Sequence, residues 1–172
     1  MNKIIVVVIT IIMLTFTSAL NACSGANSQG SQIGKTAPQF ILDDLNNKPV
    51  SLSSYLGKAV LMNFWTTSCP PCVEEMPYFQ ELYQDWSTRD DVSILMINIG
   101  EDIRRVENFM QSHNYTLPVL LDSQGKVAEA YQVQYTPTTV LIDQSGRLSY
   151  KAIGAFKNKL SIVKTVEGVL TR

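Results

Sequence analysis

Histidine occurs once and cysteine three times in this chain of 172 residues. A structural zinc site normally takes four Cys or His ligands. Here Cys69 and Cys72 would have to recruit His113 and Cys23, so the inventory argues against a resident metal. No block or stripe of basic residues is present: 14 Lys and Arg stand against 15 Asp and Glu, for a net charge of −1. That excludes the usual electrostatic footprint of a nucleic-acid binder. No internal repeat is visible. No apolar run reaches the roughly 20 residues of a comfortable membrane span.

What is present begins with a leader. "MNKIIVVVITIIMLTFTSALNACSG" has one positive residue, Lys3, then a charge-free apolar run from Ile4 to Leu20, then small residues. This is the layout of a secretory signal over residues 1–22. Leu20-Asn21-Ala22-Cys23 resembles the lipobox of bacterial lipoproteins, in which the cysteine is acylated and becomes the new N-terminus. Ordinary cleavage and an uncleaved signal-anchor are the alternatives. Each buried methylene adds about 0.8 kcal/mol of membrane affinity, so several acyl chains at Cys23 would anchor firmly. Residues 23–36, rich in Ser, Gly, Asn and Gln, read as the lipidated end and a flexible tether. All three readings place residues 37–172 outside the cytoplasm, where disulfides persist.

Periodicity and punctuation give the order of elements. "PQFILDD" and "NNKPVSL" form a short hairpin turning near Asn46 and Asn47, and "SSYLGK" is one helical turn. "AVLMNFW" and "DVSILMINIG" are nearly continuous apolar runs, as in strands buried on both faces. "CPPCVEEMPYFQELYQDW" is helical, with Val73, Met76, Phe79, Leu82, Tyr83 and Trp86 on one face. "DIRRVENFMQSHN" is an amphipathic helix with Ile103, Val106, Phe109 and Met110 inward, and His113 caps its end or faces solvent. "LPVLLD" is extended and "KVAEAYQV" is a short helix. "TTVLID" and "GRLSYKAIG" form a hairpin turning at Asp143 to Gly146. A last helix from about Lys157 to Leu170 buries Leu160, Val163, Val166, Val169 and Leu170. Helices alternating with buried strands predict an α/β sandwich with helices on both faces.

The stretch "NFWTTSCPPC" carries the chemistry. Cys69 lies where a buried strand hands over to a helix. Pro70 and Pro71 fall in the first turn, whose N–H groups have no intrahelical partner, so they stiffen the turn without breaking it. The helix dipole and free N–H groups then favour a thiolate at Cys69. A thiolate attacks disulfides, and Cys72, one turn on, is placed to resolve the mixed disulfide. A structural staple is the weaker reading, because so short a loop restrains little of the unfolded chain. C-x-x-C beside alternating strands and helices is the signal of a redox dithiol.

These motifs, with "GKTAPQFILDDLNNKPVSLSSYLGK", "VLMNFWTTSCPPCVEEMP", "MINIGED" and "LPVLLDSQGKVAEAYQVQYTPTTVLIDQSGR", resemble the membrane-anchored TlpA/ResA-type thiol–disulfide oxidoreductases of the thioredoxin superfamily. The resemblance spans about residues 34–172. It implies a thioredoxin-like three-layer sandwich with a mixed central sheet, an N-terminal β-hairpin, and a central strand–helix insertion between Asp91 and Gln134. It implies a Cys69–Cys72 disulfide as the redox centre, with no other cofactor and no metal. It makes Pro137 a cis proline, with Thr136 offering backbone groups to an extended substrate segment and Trp65 beside the site. Where ordinary thioredoxins hold a buried acid, this chain has Asn63, and Glu101 stands where this branch often places a carboxylate able to take a proton from Cys72. Many relatives have Trp before the first cysteine; this chain has Ser68. Pro77 matches the family's kink proline, and Glu74 and Glu75 fit the early-helix preference for acids without a catalytic role.

The implied partners are an oxidised client protein, such as an apocytochrome c, and a membrane thiol transporter as electron donor. A monomer is the default. A thiol peroxidase is the runner-up: Thr66 stands three before Cys69, but Met62 occupies the place of that motif's proline. A copper-delivery protein of the Sco type would use two cysteines and His113, though those cysteines are normally three residues apart.

Overall fold

The computed structural model describes residues 32–171; the leader, Cys23 and most of the tether lie outside them. Seven strands form one sheet in the order β2-β1-β5-β4-β3-β6-β7. The strands are β1 (Ile41–Asp44), β2 (Pro49–Ser51), β3 (Ala59–Trp65), β4 (Val92–Ile99), β5 (Val119–Asp122), β6 (Thr138–Ile142) and β7 (Leu148–Ile153). The helices are α1 (Pro70–Asp85), α2 (Ile103–Ser112), α3 (Lys126–Ala130) and α4 (Lys159–Leu170), with a 3-10 turn at Leu52–Tyr55. β3, β4 and β5 run parallel; β6, β7, β1 and β2 join antiparallel. The sheet is therefore mixed, as expected, and the N-terminal hairpin docks on it through β1 against β5.

β3 is buried at all seven positions and divides its side chains between two cores. Ala59, Leu61 and Trp65 face Met76, Phe79, Val106, Met110, Ile162 and Val166 of α1, α2 and α4. Val60, Met62 and Phe64 face Phe40, Leu120, Val127, Tyr131 and Leu148 on the α3 side. The period-two alternation of a strand requires this split. Asn63 belongs by parity to the first face, under α1.

Three expectations need correction. Residues 34–36, assigned to the tether, are bound to the domain. Gly34 N–H donates to Leu148 O at 2.7 Å, Leu148 N–H to Lys35 O at 2.9 Å and Ala37 N–H to Gly146 O at 2.9 Å. In α4 the inward positions include Ile162 and Val166, both fully buried, whereas Leu160 is 59% exposed. The helix begins at Lys159, capped by Asn158, whose Oδ1 accepts Ser161 N–H. At about 100° per residue Leu160 stands nearly opposite Ile162, so the side that buries Ile162 and Val166 turns it outward. Tyr83 is also exposed, because α1 turns it away from the strip formed by Cys72, Met76, Phe79 and Leu82.

Candidate active site

Cys69 is the N-cap of α1, in extended backbone conformation, and Pro70 and Pro71 open the helix. Its Sγ accepts the Cys72 N–H at 3.3 Å, one of the donors left over at a helix start. Cys69 and Cys72 are joined as a disulfide. Cys69 keeps 8% exposure and Cys72 only 1%, so an incoming sulfur reaches Cys69. Access to the two sulfurs is thus unequal.

The Thr136–Pro137 peptide bond is cis. Pro137 is buried, and its carbonyl accepts Gly154 N–H at 2.8 Å, which ties the loop to the end of β7. Thr138 Oγ1 donates to Tyr135 O at 2.6 Å and closes the loop from the other side. A groove of about 450 Å³ runs beside this loop, lined by Thr66, Ile99, Ala128, Val133, Tyr135 and Thr136. Two larger hollows, of about 530 and 630 Å³, contain neither cysteine nor the cis proline.

Glu101 holds the approach to Cys69. Its carboxylate accepts Thr67 N–H at 2.7 Å, Thr67 Oγ1–H at 2.7 Å and Asn98 Nδ2–H at 2.7 Å. Arg105 lies 3.0 Å from it. Burial pushes the carboxyl pKa up, but these donors and the Arg105 charge outweigh it and hold it below the ordinary value. A carboxylate so engaged is a poor proton acceptor and a good clamp on the Thr66–Ser68 segment. Asp102, beside it, caps α2 through Arg104 N–H at 2.9 Å.

The acid that the sequence reading passed over is Glu75. It is 1% exposed, one turn beyond Cys72 on the inward face of α1. Oε1 accepts Asn63 Nδ2–H at 2.8 Å, and Oε2 accepts Phe156 N–H at 2.7 Å. Burial raises its pKa to about 7, against the lowering effect of those two hydrogen bonds. It is therefore not a solvated early-helix acid. A signal was available: Cys72, Glu75, Met76, Phe79 and Leu82 fall on one helical stripe, so a wheel drawn from the apolar residues encloses Glu75.

Trp65 is fully buried and packs against Phe109, ring centres 5.4 Å apart and planes inclined at 47°. It packs beneath the site and offers no surface to a substrate. His113 caps α2: its Nδ1 lies 2.8 Å from Phe109 O and its ring lies against Phe109 and Tyr115. No cluster of three or more potential metal ligands occurs among the described residues.

A helix-capping disulfide in a C-x-x-C motif, a cis-proline loop and this sheet order define a thioredoxin-fold dithiol–disulfide exchanger. The chain matches the AhpC/TSA family over residues 33–151. It is 38% identical to the thiol–disulfide oxidoreductase ResA of Geobacillus thermodenitrificans over 93% of both chains. It is 36% identical to ResA of Bacillus subtilis, over 98% of this chain and 83% of that one. Among solved structures, StoA from Bacillus subtilis superposes with a TM-score of 0.66 at 26% identity, covering 74% of this chain and 96% of that one. The exposed lipoprotein thioredoxin Etrx1 from Streptococcus pneumoniae gives 0.69 at 30% identity, covering 76% and 99%. The chain belongs to the AhpC/TSA family and, within it, to the ResA-type thiol–disulfide oxidoreductases. Its chemistry resides in the cysteine pair itself.

Proposed function

We propose that the chain reduces disulfides in client proteins outside the cytoplasm, held at a membrane by a lipid on Cys23. The observation that carries the reading is the sulfur of Cys69, capped by Cys72 N–H beside the cis-proline loop. In the reduced form the Cys69 thiolate attacks one sulfur of a client disulfide. A Cys69–client bond forms, and the client's other sulfur leaves as a thiolate and is protonated. Cys72 gives its proton to the Glu75 carboxylate, and the resulting thiolate attacks Cys69 Sγ. The Cys69–Cys72 bond forms, the client's second thiolate is released and protonated, and two electrons have passed to the client. Burial suits Glu75 to this task, since a proton acceptor is most effective with a pKa near the working pH.

Thr136 presents its backbone to the client segment, and the groove beside Tyr135 takes the flanking residues. Glu101 keeps the Thr66–Ser68 turn in place below them. An oxidised apocytochrome c is a client of the right chemistry, with two cysteines in an unfolded segment. A membrane thiol transporter would return the electrons. Acylation of Cys23 and removal of the signal peptide at residues 1–22 would make Cys23 the new N-terminus, a reading supported by the likeness to Etrx1, an exposed lipoprotein. No helix among the described residues is long and apolar enough to cross a membrane.

The reduction potential of the Cys69–Cys72 pair, measured on the segment from Ile33 onward, tests the direction. A value at or below roughly −250 mV marks a reductant, and one near roughly −120 mV marks a disulfide donor and refutes the reductase assignment.

A further inference from the structure

Beneath the disulfide the Asn63 carboxamide lies between two buried side chains. Its Nδ2 donates to Glu75 Oε1 at 2.8 Å and to Thr139 Oγ1 at 3.1 Å. Asn63 and Thr139 sit opposite each other in the β3–β6 ladder, so the backbone fixes where the amide can reach. The other end of the same amide, Oδ1, is buried with no hydrogen-bond partner. Buried acceptors are nearly always satisfied, and one that is not calls for a reason.

The reason lies in what Glu75 must do. Ionised, it needs donors, and Asn63 Nδ2 and Phe156 N–H supply them. Protonated, it needs an acceptor for its own O–H. Oδ1 is the acceptor held in reserve on the same amide. We infer that Asn63 is a positioning residue whose amide turns by half a revolution as Glu75 gains or loses its proton. In the ionised state Nδ2 donates to Glu75 and Thr139. In the neutral state Oδ1 accepts from both the Glu75 hydroxyl and the Thr139 hydroxyl. The two ends of a carboxamide are nearly alike in shape, and a threonine hydroxyl can donate or accept, so the swapped amide fits the same space. Aspartate cannot donate and leucine can do neither; asparagine serves both states. The inference rests on the reading of Glu75 as the proton acceptor of the dithiol.

Cys69 caps α1, Cys72 and the exposed Glu74 lie on it with Glu75, and the exposed Lys157 follows Phe156 in the chain. No charged neighbour contributes to the shift at Glu75.

The test uses the full chain in detergent with the disulfide intact, so that neither thiol titrates. Infrared difference spectra against pH follow the carboxyl band that is lost in Glu75→Gln. Asn63→Leu removes a donor to the carboxylate and is expected to raise the Glu75 midpoint. Thr139→Val removes the amide's second partner in both states, an acceptor in the ionised one and a donor in the neutral one, and is expected to leave the midpoint closer to wild type than Asn63→Leu does. The Asn63→Leu shift should be three- to ten-fold in proton affinity. A midpoint that stays or falls in Asn63→Leu overturns the inference. Should Asn63→Leu not fold, the side-chain amide NMR signals of wild-type Asn63 serve instead. They are expected to titrate with the Glu75 midpoint, and signals that stay constant overturn the inference. Disulfide reduction by the reduced wild-type chain, assayed on insulin, is a separate readout. Its failure would remove the functional reading and leave the carboxyl titration standing as a result about the oxidised protein.

Discussion

Replacing Glu75 by Gln should remove a pH dependence from the stability of the oxidised protein. The folded carboxyl has a pKa of about 7 against an ordinary 4.5. The difference corresponds to about 3 kcal/mol, since each unit is worth about 1.4 kcal/mol. Below pH 4.5 the group is protonated both folded and unfolded and contributes nothing. Between 4.5 and 7 the unfolded chain releases the proton while the folded chain keeps it, so the wild type loses stability as pH rises. Above 7 the loss is complete. Gln keeps the shape but has one carbonyl where the carboxylate has two acceptors for Asn63 and Phe156. That change adds an offset, and it is the same at every pH. The readout is therefore a slope. Urea denaturation from pH 4 to 8, with the disulfide intact, gives wild type and variant under each condition. The stability of wild type minus variant should fall by about 3 kcal/mol across the range. A difference that stays flat, or rises with pH, would refute the argument that burial dominates at Glu75.

Other outcomes follow from the same geometry. Glu101→Gln should cost about 1–3 kcal/mol at pH 7, the worth of buried hydrogen bonds to a charged group. Because Glu101 is held below its ordinary pKa, that deficit should shrink as pH falls through the folded value, which denaturation at pH 3 and 7 compares. Ile162→Ala should lose about 2–5 kcal/mol and Leu160→Ala about 0.5 or less, a contrast in urea midpoints that checks the phase of α4. Phe79→Ala, which empties the face between α1 and Phe156, should cost about 3–5 kcal/mol by the same assay. Cys72→Ser should trap a mixed disulfide on Cys69, visible as an added mass under non-reducing conditions, whereas Cys69→Ser should trap none.

The order of elements was legible because β3 and β4 are almost unbroken apolar runs and the helices between them show clear stripes. The place of Cys69 at the helix start followed from the strand-to-helix junction and Pro70. The cis bond at Pro137 was legible only through the family resemblance, since nothing local in "YTPTT" demands it. Glu75 was hidden because a pair of glutamates early in a helix reads as a solvated end. The apolar stripe of the helix encloses it, but its hydrogen-bond partners, Asn63 in the strand before and Phe156, 81 residues later, lie beyond any local pattern. The same limit explains residues 34–36: their composition says tether, and their partners at Arg147 and Leu148 say domain.

Those partners also fix an orientation. Leu148 pairs with Ile142 at one end of the β6–β7 hairpin, and Thr138 pairs with Ile153 at the other. Thr138 is beside the cis proline and pairs with Phe64, at the end of β3 that leads to Cys69. The chain thus enters the domain at the foot of the sheet, while the disulfide stands at its crown. The seven residues of β3 put about 20 Å between the two levels. Whatever holds the N-terminus would hold the domain by its heel, with the disulfide at the far end of the sheet.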